Sequence, residues 1–317
     1  MKKRKLGTTG LSVSPLTFGG NVFGWTIDEK QSFKMLDAFF DAGFNFVDTA
    51  DTYSWWVKGN NGTESETIIG KWTASRKNRD QVILSTKVGS QNNEHPKNIS
   101  KKFILENVEG SLKRLKTDYI DLYQTHFDDE KTPVEETLSA YQQLIKEGKI
   151  RFIGVSNMST ERICQSLQAS KENGLPQYQT LQPLYNLMER EAYEKDLRSI
   201  AEENNMGVLN YSSLASGFLT GKYRDTKDLD KSERGGNVEK YLNQHGFEVL
   251  DALEVCAKKH NSTPATISLA WLLARPTVTA PIVSATGIDQ LQSIIEAPQL
   301  KLDTDDMELL NKASNWK

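Results

Sequence analysis

Short β-rich runs alternate with helical segments eight times along this chain. The runs lie at residues 16–19, 44–49, 82–87, 119–126, 150–156, 178–183, 207–212 and 278–284. A strand that returns to its sheet through a helix lies parallel to the strand before it, so the alternation predicts an α/β fold with a parallel sheet. Eight such units within 317 residues match the size of a closed (β/α)8 TIM barrel.

The competing architecture is an open, doubly wound sheet that binds a dinucleotide. No G-x-G-x-x-G motif follows the first predicted strand, and that fingerprint is typical of the open fold. We therefore predict the barrel, as a single domain over residues 1–317, because no linker or low-complexity tract divides the chain.

Three further segments lie outside the eightfold pattern. Residues 3–14 predict an N-terminal β-hairpin that covers the bottom of the barrel, and residues 300–317 predict an extra capped helix with almost no tail beyond it. Residues 212–237 form a long polar connection after the seventh strand. Connections of that length are usually functional or disordered, and this one is expected on the catalytic face.

Several residues predict where helices begin and end. The predicted starts are capping boxes at Thr63 with Glu66 and at Thr132-Pro133 with Glu135, and the cap-then-proline pair Thr263-Pro264. Gly43 and Gly148 each follow an apolar-periodic segment, and glycine is typical of the position just after a helix.

Composition excludes several classes of partner. Lys plus Arg number 39 and Asp plus Glu number 42, and this balance gives no reason to expect nucleic acid or a membrane. The N-terminus lacks the apolar core of a signal peptide, so we expect a soluble, cytoplasmic protein. Cys164 and Cys256 are isolated and the histidines have no metal-ligand spacing, which predicts two reduced, buried thiols and no metal site.

The stretch FVDTADTYSWW, residues 46–56, begins as a buried strand and ends in an acid, hydroxyls and aromatic residues. Catalytic groups of a parallel barrel come from the C-terminal ends of its strands. That position selects Asp48 with Tyr53 after the second strand, Lys87 at the end of the third and His126 at the end of the fourth. Taken singly, each has an ordinary structural interpretation, but four complementary groups on three successive strand ends favour catalysis.

Chemistry gives each of these four residues a role. A buried lysine needs a counter-charge, and Asp48 is the expected partner of Lys87. The Lys87 ammonium is expected to lower the pKa of Tyr53, so that Tyr53 can give a proton to a carbonyl oxygen. His126 is expected to donate a hydrogen bond to that same oxygen.

An acid directed at a carbonyl, without a nucleophile of the protein's own, implies that a cofactor brings the hydride. The later strand ends carry groups that suit a nicotinamide. Asn157, beside Ser156, and Gln182 present amides for its carboxamide, and Tyr211 presents a flat face for its ring.

In this order, the motifs FVDTADTY, LSTKVG, DLYQTH, GVSN, TLQPLYN and YSSLASGFLTGKY resemble those of the aldo-keto reductase family, bacterial type with a short C-terminal tail. The resemblance implies a catalytic tetrad of Asp48, Tyr53, Lys87 and His126. It implies nicotinamide contacts from Ser156, Asn157, Gln182 and Tyr211. It also implies a pyrophosphate loop made by Ser212, Leu214, Ser216, Gly217 and Lys222, although Lys222 has a competing interpretation as a solvated charge.

The stretch IVSATGIDQLQ resembles the segment that binds the adenosine phosphate in this family. Ser284, Thr286 and Gln290 stand where lysine or arginine is frequent. The resemblance implies NADPH as the preferred cofactor, and the absence of basic residues at these positions leads us to expect that NADH is also usable.

Four aromatic residues on the catalytic-face loops are expected to wall an apolar substrate pocket. They are Trp25, Trp55, Trp56 and Phe127. The sequence thus predicts an NADPH-preferring oxidoreductase that reduces aldehydes, and ketones as a further class, to alcohols. The first alternative is an NADPH-binding sensor that resembles the β subunits of potassium channels. The second is a barrel isomerase or hydrolase without a cofactor.

Overall fold

The computed structural model of the chain describes residues 2–316, so Met1 and Lys317 of the predicted domain lie outside the described residues. Its strands are β1 Arg4–Lys5, β2 Ser12–Val13, β3 Thr17–Gly19, β4 Phe46–Asp48, β5 Ile83–Val88, β6 Ile120–Thr125, β7 Ile150–Ser156, β8 Thr180–Gln182, β9 Gly207–Val208 and β10 Ile282–Val283. Its helices are α1 Glu29–Asp41, α2 Glu64–Arg76, α3 Lys101–Leu115, α4 Val134–Lys146, α5 Thr160–Asn173, α6 Arg198–Glu203, α7 Gln244–Lys259, α8 Pro264–Leu273, α9 Ile288–Glu296 and α10 Thr304–Ala313.

Eight parallel strands form the sheet in the order β10-β3-β4-β5-β6-β7-β8-β9. The two ends of this order also meet, because the Thr279 amide donates to the Val208 carbonyl at 2.9 Å and the Ile282 amide donates to the Asn210 carbonyl at 2.9 Å. The predicted (β/α)8 barrel is therefore confirmed. Each of the eight predicted runs contains a strand, except that β5 extends one residue past its run, to Val88.

The N-terminal hairpin covers the bottom of the barrel, as predicted. β1 and β2 pair antiparallel. Leu6 and Val13 are fully buried and belong to one apolar cluster with Phe46, Leu122 and Leu209, which come from the barrel strands and their extensions. This apolar plug separates the interior of the barrel from solvent at the face opposite the strand C-termini.

Helices cover the outside of the barrel through amphipathic faces. In α1, the buried residues Ser32, Met35, Leu36 and Phe39 recur at the helical period. Two of the described helices, α7 and α10, are additional to the barrel repeat. α7 packs on both α8 and α10. The Trp271 indole of α8 donates to the Asn311 side chain near the end of α10 at 3.0 Å. The predicted extra helices are thus confirmed.

Two of the predicted capping boxes are absent, although α2 and α4 begin where the sequence predicted. Thr63 makes no side-chain cap to α2, because Glu66 instead accepts from Thr86 at 2.5 Å and from Arg114 at 2.7 Å. α4 begins after Pro133 without a side-chain cap, since the Thr132 hydroxyl donates to Asp129 at 2.7 Å. The Thr263 cap is confirmed, because its side chain accepts from the Thr266 amide.

The predicted helix ends are confirmed. Gly43 and Gly148 follow α1 and α4 within two residues and have φ of 89° and 72°, a conformation that glycine adopts without strain. The cysteines differ from expectation in one respect. Cys256 is buried, whereas Cys164 is exposed, because α5 turns it outward.

Candidate active site

The ends of β4, β5 and β6 bring the four predicted catalytic residues together. Parallel pairing sets Asp48 opposite Ser85 and Lys87 opposite Gln124, so the polar ends of the three strands share one edge. The Lys87 Nζ lies 2.5 Å from Asp48 Oδ2 and 2.8 Å from Tyr53 Oη. The Tyr53 and His126 rings meet edge to face with their centroids 5.8 Å apart.

Asp48 is the most heavily hydrogen-bonded residue of this group. Its Oδ2 pairs with Lys87, and both side chains are at most 1% exposed. Its Oδ1 accepts from Ser85 Oγ at 2.9 Å, from Gln182 Nε2 at 3.1 Å and from Gln124 Nε2 at 3.3 Å. These bonds hold the carboxylate in one orientation, which fixes Lys87 in turn.

The Lys87 ammonium has an acceptor for each of its three N–H groups. Besides Asp48 and Tyr53, the main-chain carbonyl of Thr49 accepts at 2.6 Å. Burial disfavours the charged form of Lys87, but the charge of Asp48 and the nearby Tyr53 outweigh burial, so the pKa of Lys87 is raised. Lys87 is therefore a fixed cation at neutral pH.

The pKa of Tyr53 differs in direction from the sequence-based expectation. Burial raises it, and the Lys87 charge and hydrogen bond lower it without fully offsetting burial. The expected influence of Lys87 is present, but the net pKa lies above the ordinary value because the phenol is enclosed. Tyr53 therefore holds its proton at neutral pH, and Lys87 is the closest group that stabilises the phenolate when that proton leaves.

His126 is held neutral. Burial and, to a smaller extent, the Lys87 charge hold the pKa of His126 well below its ordinary value. The buried Nδ1 of His126 has no hydrogen-bond partner among residues 2–316. A proton on Nδ1 would be a buried donor without an acceptor, so we assign the proton of the neutral ring to Nε2.

The predicted nicotinamide contacts adjoin these four residues. Asn157 has a left-handed backbone with φ of 46°, and its Nδ2 donates to the His126 carbonyl at 2.9 Å. The Tyr211 hydroxyl donates to Asn157 Oδ1 at 2.9 Å, which orients the Tyr211 ring at the mouth of the barrel. The Ser156 hydroxyl donates to the main-chain carbonyl of Gln182 at 2.8 Å, and the Gln182 amide reaches Asp48 as described above.

The predicted pyrophosphate loop turns sharply after β9. Ser212, Ser216 and Gly217 have left-handed φ values of 55°, 58° and 97°, and the Leu214 carbonyl accepts from the Gly217 amide at 2.8 Å. Successive turns of this kind point backbone N–H groups inward, as in anion-binding loops. Lys222 places a cation beside this turn. Its Nζ would lie 3.7 Å from a Cβ atom added to Gly217.

The predicted adenosine-phosphate residues carry hydroxyl and amide groups. Thr286 donates through its backbone N at 3.0 Å and its hydroxyl at 3.1 Å to Gln290 Oε1. The Ser284 hydroxyl donates to the Gly19 carbonyl at 2.7 Å. Across the described residues, no hydrogen bond or ion pair joins a lysine or arginine side chain to these three side chains. Arg224 is held elsewhere by Asp251 and Glu254.

The predicted pocket residues form a partial aromatic rim beside Tyr53. The Trp56 ring centroid lies 5.4 Å from that of Trp25, 6.5 Å from that of Trp55 and 6.4 Å from that of Tyr53. Phe127 packs against His126 with centroids 4.8 Å apart. Trp56 is 44% exposed, so apolar surface faces solvent next to the Tyr53 ring.

Sequence reasoning missed the polar residues that hold the tetrad in place. Ser85 lies two positions before Lys87 within β5, and Gln124 lies two positions before His126, which follows β6 directly. Alternation along a strand points both side chains toward the barrel interior. Their bond to each other is 2.8 Å. A search for polar residues two positions before Lys87 and His126 would have found Ser85 and Gln124.

A second network, centred on the buried carboxylate of Glu66, was also missed. Arg114 pairs with Glu66, whose side chain is fully buried. Burial and the charge of Glu66 hold the pKa of the nearby Asp51 well above its usual range. This network comes from α2, α3 and the loop after β4, so its members are distant in sequence.

The geometry suits proton transfer to a carbonyl oxygen. It provides a protonated phenol, a cation that stabilises the phenolate, and a neutral imidazole whose ring packs edge to face against that phenol. No group of three or more His, Cys, Asp or Glu residues within residues 2–316 could hold a metal ion. No helix in that range is long and apolar enough to cross a membrane.

Comparison with known proteins gives a consistent result. The aldo/keto reductase family model matches residues 15–315. The uncharacterized oxidoreductase YrpG of Bacillus subtilis is 35% identical, with 98% of this chain and 95% of YrpG covered. The aldo-keto reductase YhdN of Bacillus subtilis is 34% identical, with 98% and 93% covered. A probable voltage-gated potassium channel subunit beta of Arabidopsis thaliana is 33% identical, with 94% and 91% covered. This chain therefore belongs to the aldo/keto reductase family.

Proposed function

We propose that this protein is an NADPH-preferring reductase that converts aldehydes, and ketones as a further class, to alcohols. The observation that carries the proposal is the position of Lys87, whose ammonium contacts both the Asp48 carboxylate and the Tyr53 hydroxyl. A buried lysine needs a carboxylate partner, whereas a solvated lysine does not. A lysine that is held in this way beside a phenol can stabilise the phenolate, and so supports Tyr53 as a proton donor.

Tyr53 is the proton donor of the proposed reaction. As the carbonyl carbon gains a hydride, negative charge develops on the oxygen, and the Tyr53 O–H proton moves to that oxygen. The phenolate left behind lies 2.8 Å from Lys87 Nζ, which stabilises it until solvent returns a proton. In the reverse direction, the phenolate takes the proton of an alcohol.

His126 orients the substrate. Its neutral ring donates from Nε2, so it can hydrogen-bond the carbonyl oxygen without bringing a second proton into competition with Tyr53. Because the pKa of His126 lies well below its usual value, this arrangement persists below neutral pH.

The residues around the strand ends fit a nicotinamide dinucleotide. The left-handed turn at Ser216 and Gly217, with Lys222 beside it, suits a pyrophosphate. The ring of Tyr211 and the amide of Asn157 suit the flat, carboxamide-bearing end. When bound, this cofactor supplies the hydride.

Tyr53→Phe tests the proposal. Removing the proton donor should lower kcat for aldehyde reduction by roughly 10²-fold or more while the Kd for NADPH changes by less than a few fold. Tyr119→Phe is the matched control, because Tyr119 stacks between Arg79 and Arg151, on β6's N-terminal side and away from the tetrad. A Tyr53→Phe protein that keeps half of the wild-type rate would refute the assignment.

A second candidate is a cofactor-binding sensor. It is favoured by the similarity to the Arabidopsis potassium channel subunit over 94% of this chain. Such a protein would bind NADPH tightly and turn over slowly or not at all. Stopped-flow oxidation of bound NADPH by 4-nitrobenzaldehyde separates the two, since a reductase oxidises the bound cofactor in each catalytic cycle.

A further inference from the structure

A cleft of about 330 Å³ opens at the face of the barrel opposite the strand C-termini. One wall is β1 of the N-terminal hairpin, and the other is the end of α8 with the connection to β10, residues 274–281. Three of the lining side chains are cationic, Arg4, Lys5 and Arg275, and none of the others is acidic. The whole chain has a formal net charge of -3, so this concentration of positive charge is local.

The cations of the cleft have no carboxylate partner. Within residues 2–316, no ion pair joins Arg4, Lys5 or Arg275 to an acidic side chain, whereas Arg151 at the same face is paired with Asp121. The Nε of Arg275 is buried and has no hydrogen-bond partner in that part of the chain. Buried charged donors are normally paired, because leaving one unpaired costs free energy.

Neighbouring side chains hold the Arg275 guanidinium in place. Its carbon lies 4.0 Å from the centroid of the Trp271 ring, and its Nη2 donates to the Asn311 side chain. Burial lowers the pKa of Arg275 from its ordinary value, but an arginine stays protonated at neutral pH. Glu194 is the acid whose charge acts on Arg275, and it is bound by Arg190 at 2.8 Å and 2.9 Å. The Arg275 cation is therefore fixed in position, and the acid nearest to it is engaged by another guanidinium.

The C-terminus of α8 explains only one of the three cations. Arg4 Nη2 donates to the Leu273 carbonyl at 3.1 Å, and its Nη1 donates to two carbonyls of the following connection at 3.0 Å and 3.4 Å. A cation at this position compensates the dipoles of the last carbonyls of a helix. Across residues 2–316, neither the Lys5 side chain nor the Arg275 Nε donates to these carbonyls. Their charges therefore need another partner.

We propose that this cleft binds a phosphate group, free or as the monoester of a small molecule, between the N-terminal hairpin and the connection that follows α8. Converging cations match the charge of about -1.5 to -2 that a phosphate carries at neutral pH. Guanidinium donors suit its oxygens in geometry as well as in charge. A phosphate held by both Lys5 and Arg275 stabilises the contact between the two segments. The cleft lies at the face opposite Tyr53, so this inference does not depend on the proposed reductase function.

Isothermal titration calorimetry of the full-length protein with inorganic phosphate, at constant ionic strength, tests the proposal. Arg275→Gln should raise the Kd by about 10- to 150-fold, the scale of one charge-assisted hydrogen bond. Arg151→Gln is the matched control. Arg151 lies at the same face and also stacks on an aromatic ring at 4.0 Å, but its charge is paired with Asp121. This control should keep the Kd within about twofold of wild type.

The turn at Ser216 and Gly217 offers a second place for an anion, so the comparison is repeated in a Lys222→Gln background that weakens it. Arg275→Gln must raise the Kd there as well. Three results would overturn the proposal. They are equal Kd values for wild type and Arg275→Gln, an equal loss of affinity in Arg151→Gln, and a wild-type Kd above about 10 mM.

Lys5→Gln decides the question if Arg275→Gln does not fold, because Lys5 is exposed and its replacement leaves the core unchanged. It should raise the Kd for phosphate by about two- to fivefold, and an unchanged Kd would refute the site. Titration with glycerol 3-phosphate then separates the two sources of the phosphate group. A Kd lower than that for inorganic phosphate assigns the cleft to a monoester, and a Kd equal or higher assigns it to free phosphate.

Discussion

Replacing Asp48 with asparagine leaves the Lys87 ammonium buried without its counter-charge. The two side chains are at most 1% exposed and lie 2.5 Å apart. Removing one partner of a buried ion pair costs about 3–5 kcal/mol of unfolding free energy, because the remaining charge is uncompensated. Removing the other partner by Lys87→Met should cost less unfolding free energy, because Asp48 keeps three neutral hydrogen-bond donors. They come from Ser85, Gln124 and Gln182.

These costs convert to shifts in the melting temperature. The unfolding entropy of about 2.1 cal/mol/K per residue, over 317 residues, gives about 0.7 kcal/mol/K. Asp48→Asn should therefore lower Tm by about 4–8 °C. Lys87→Met should lower Tm by about 2–4 °C, on the scale of about 1–3 kcal/mol for disturbed buried hydrogen bonds.

The double variant Asp48→Asn/Lys87→Met separates direct pairing from independent effects. It removes both charges, so it should melt above Asp48→Asn even though it carries one more substitution. Circular dichroism melts of the cofactor-free protein at pH 7.5 measure all four Tm values. Tm shifts that simply add would refute the reasoning, because they would mean that neither residue depends on the other.

The pH dependence of the Tm difference between Asp48→Asn and wild type gives an independent check. Without Asp48, burial dominates and the pKa of Lys87 should fall below its unfolded value. The folded state then binds fewer protons than the unfolded state, so the stability of the variant rises with pH as Lys87 loses its charge. The Tm deficit relative to wild type should shrink between pH 7 and about 9. A constant deficit would contradict the presence of a buried, uncompensated ammonium.

Two further predictions concern activity. Because the pKa of His126 is lowered and that of Tyr53 is raised, kcat/KM for aldehyde reduction should stay flat from about pH 9 down to about pH 6, and a fall centred near the ordinary histidine pKa of about 6.5 would contradict a neutral His126. NADPH should be preferred over NADH by less than about 100-fold in kcat/KM, because hydroxyl and amide groups at Ser284, Thr286 and Gln290 replace a charged contact of about 1.5–3 kcal/mol. Thr286→Arg should widen that ratio. A wild-type preference for NADPH beyond about 10³ would show that other residues bind the phosphate. Any preference for NADH would overturn the inference that NADPH is the preferred cofactor.

The barrel was predictable because its signals are local and repeated. Each β-rich run is short and buried, and each is followed by a helical segment, so the alternation required no knowledge of distant contacts. The failures occurred where a local pattern competed with a tertiary contact. Thr63 with Glu66 has the sequence of a capping box, but Arg114 and Thr86 bind the Glu66 carboxylate instead.

The convergence of the four predicted catalytic residues was predictable for the same reason as the barrel. Parallel strands place their C-terminal ends at one edge, so Asp48, Lys87 and His126 could be grouped from strand positions only. Arg234, whose guanidinium carbon lies 5.3 Å from the centroid of the Trp25 ring, could not be found in this way. Its position depends on how the segment after β9 folds back over Trp25, and a polar stretch gives no periodic signal of that path.

The two cations near Tyr53 have different effects on its chemistry. Burial raises the pKa of Tyr53, while the charges of Lys87 and, more weakly, of Arg234 lower it. Lys87, whose Nζ lies 2.8 Å from the Tyr53 hydroxyl, is the principal support of a phenolate at this position. The position of the Lys87 ammonium is fixed, because Asp48 and the Thr49 carbonyl both accept hydrogen bonds from it. In the proposed reaction, proton transfer from Tyr53 should therefore depend far more on Lys87 than on Arg234, because Lys87 both contacts the hydroxyl and has the larger lowering effect on the pKa of Tyr53.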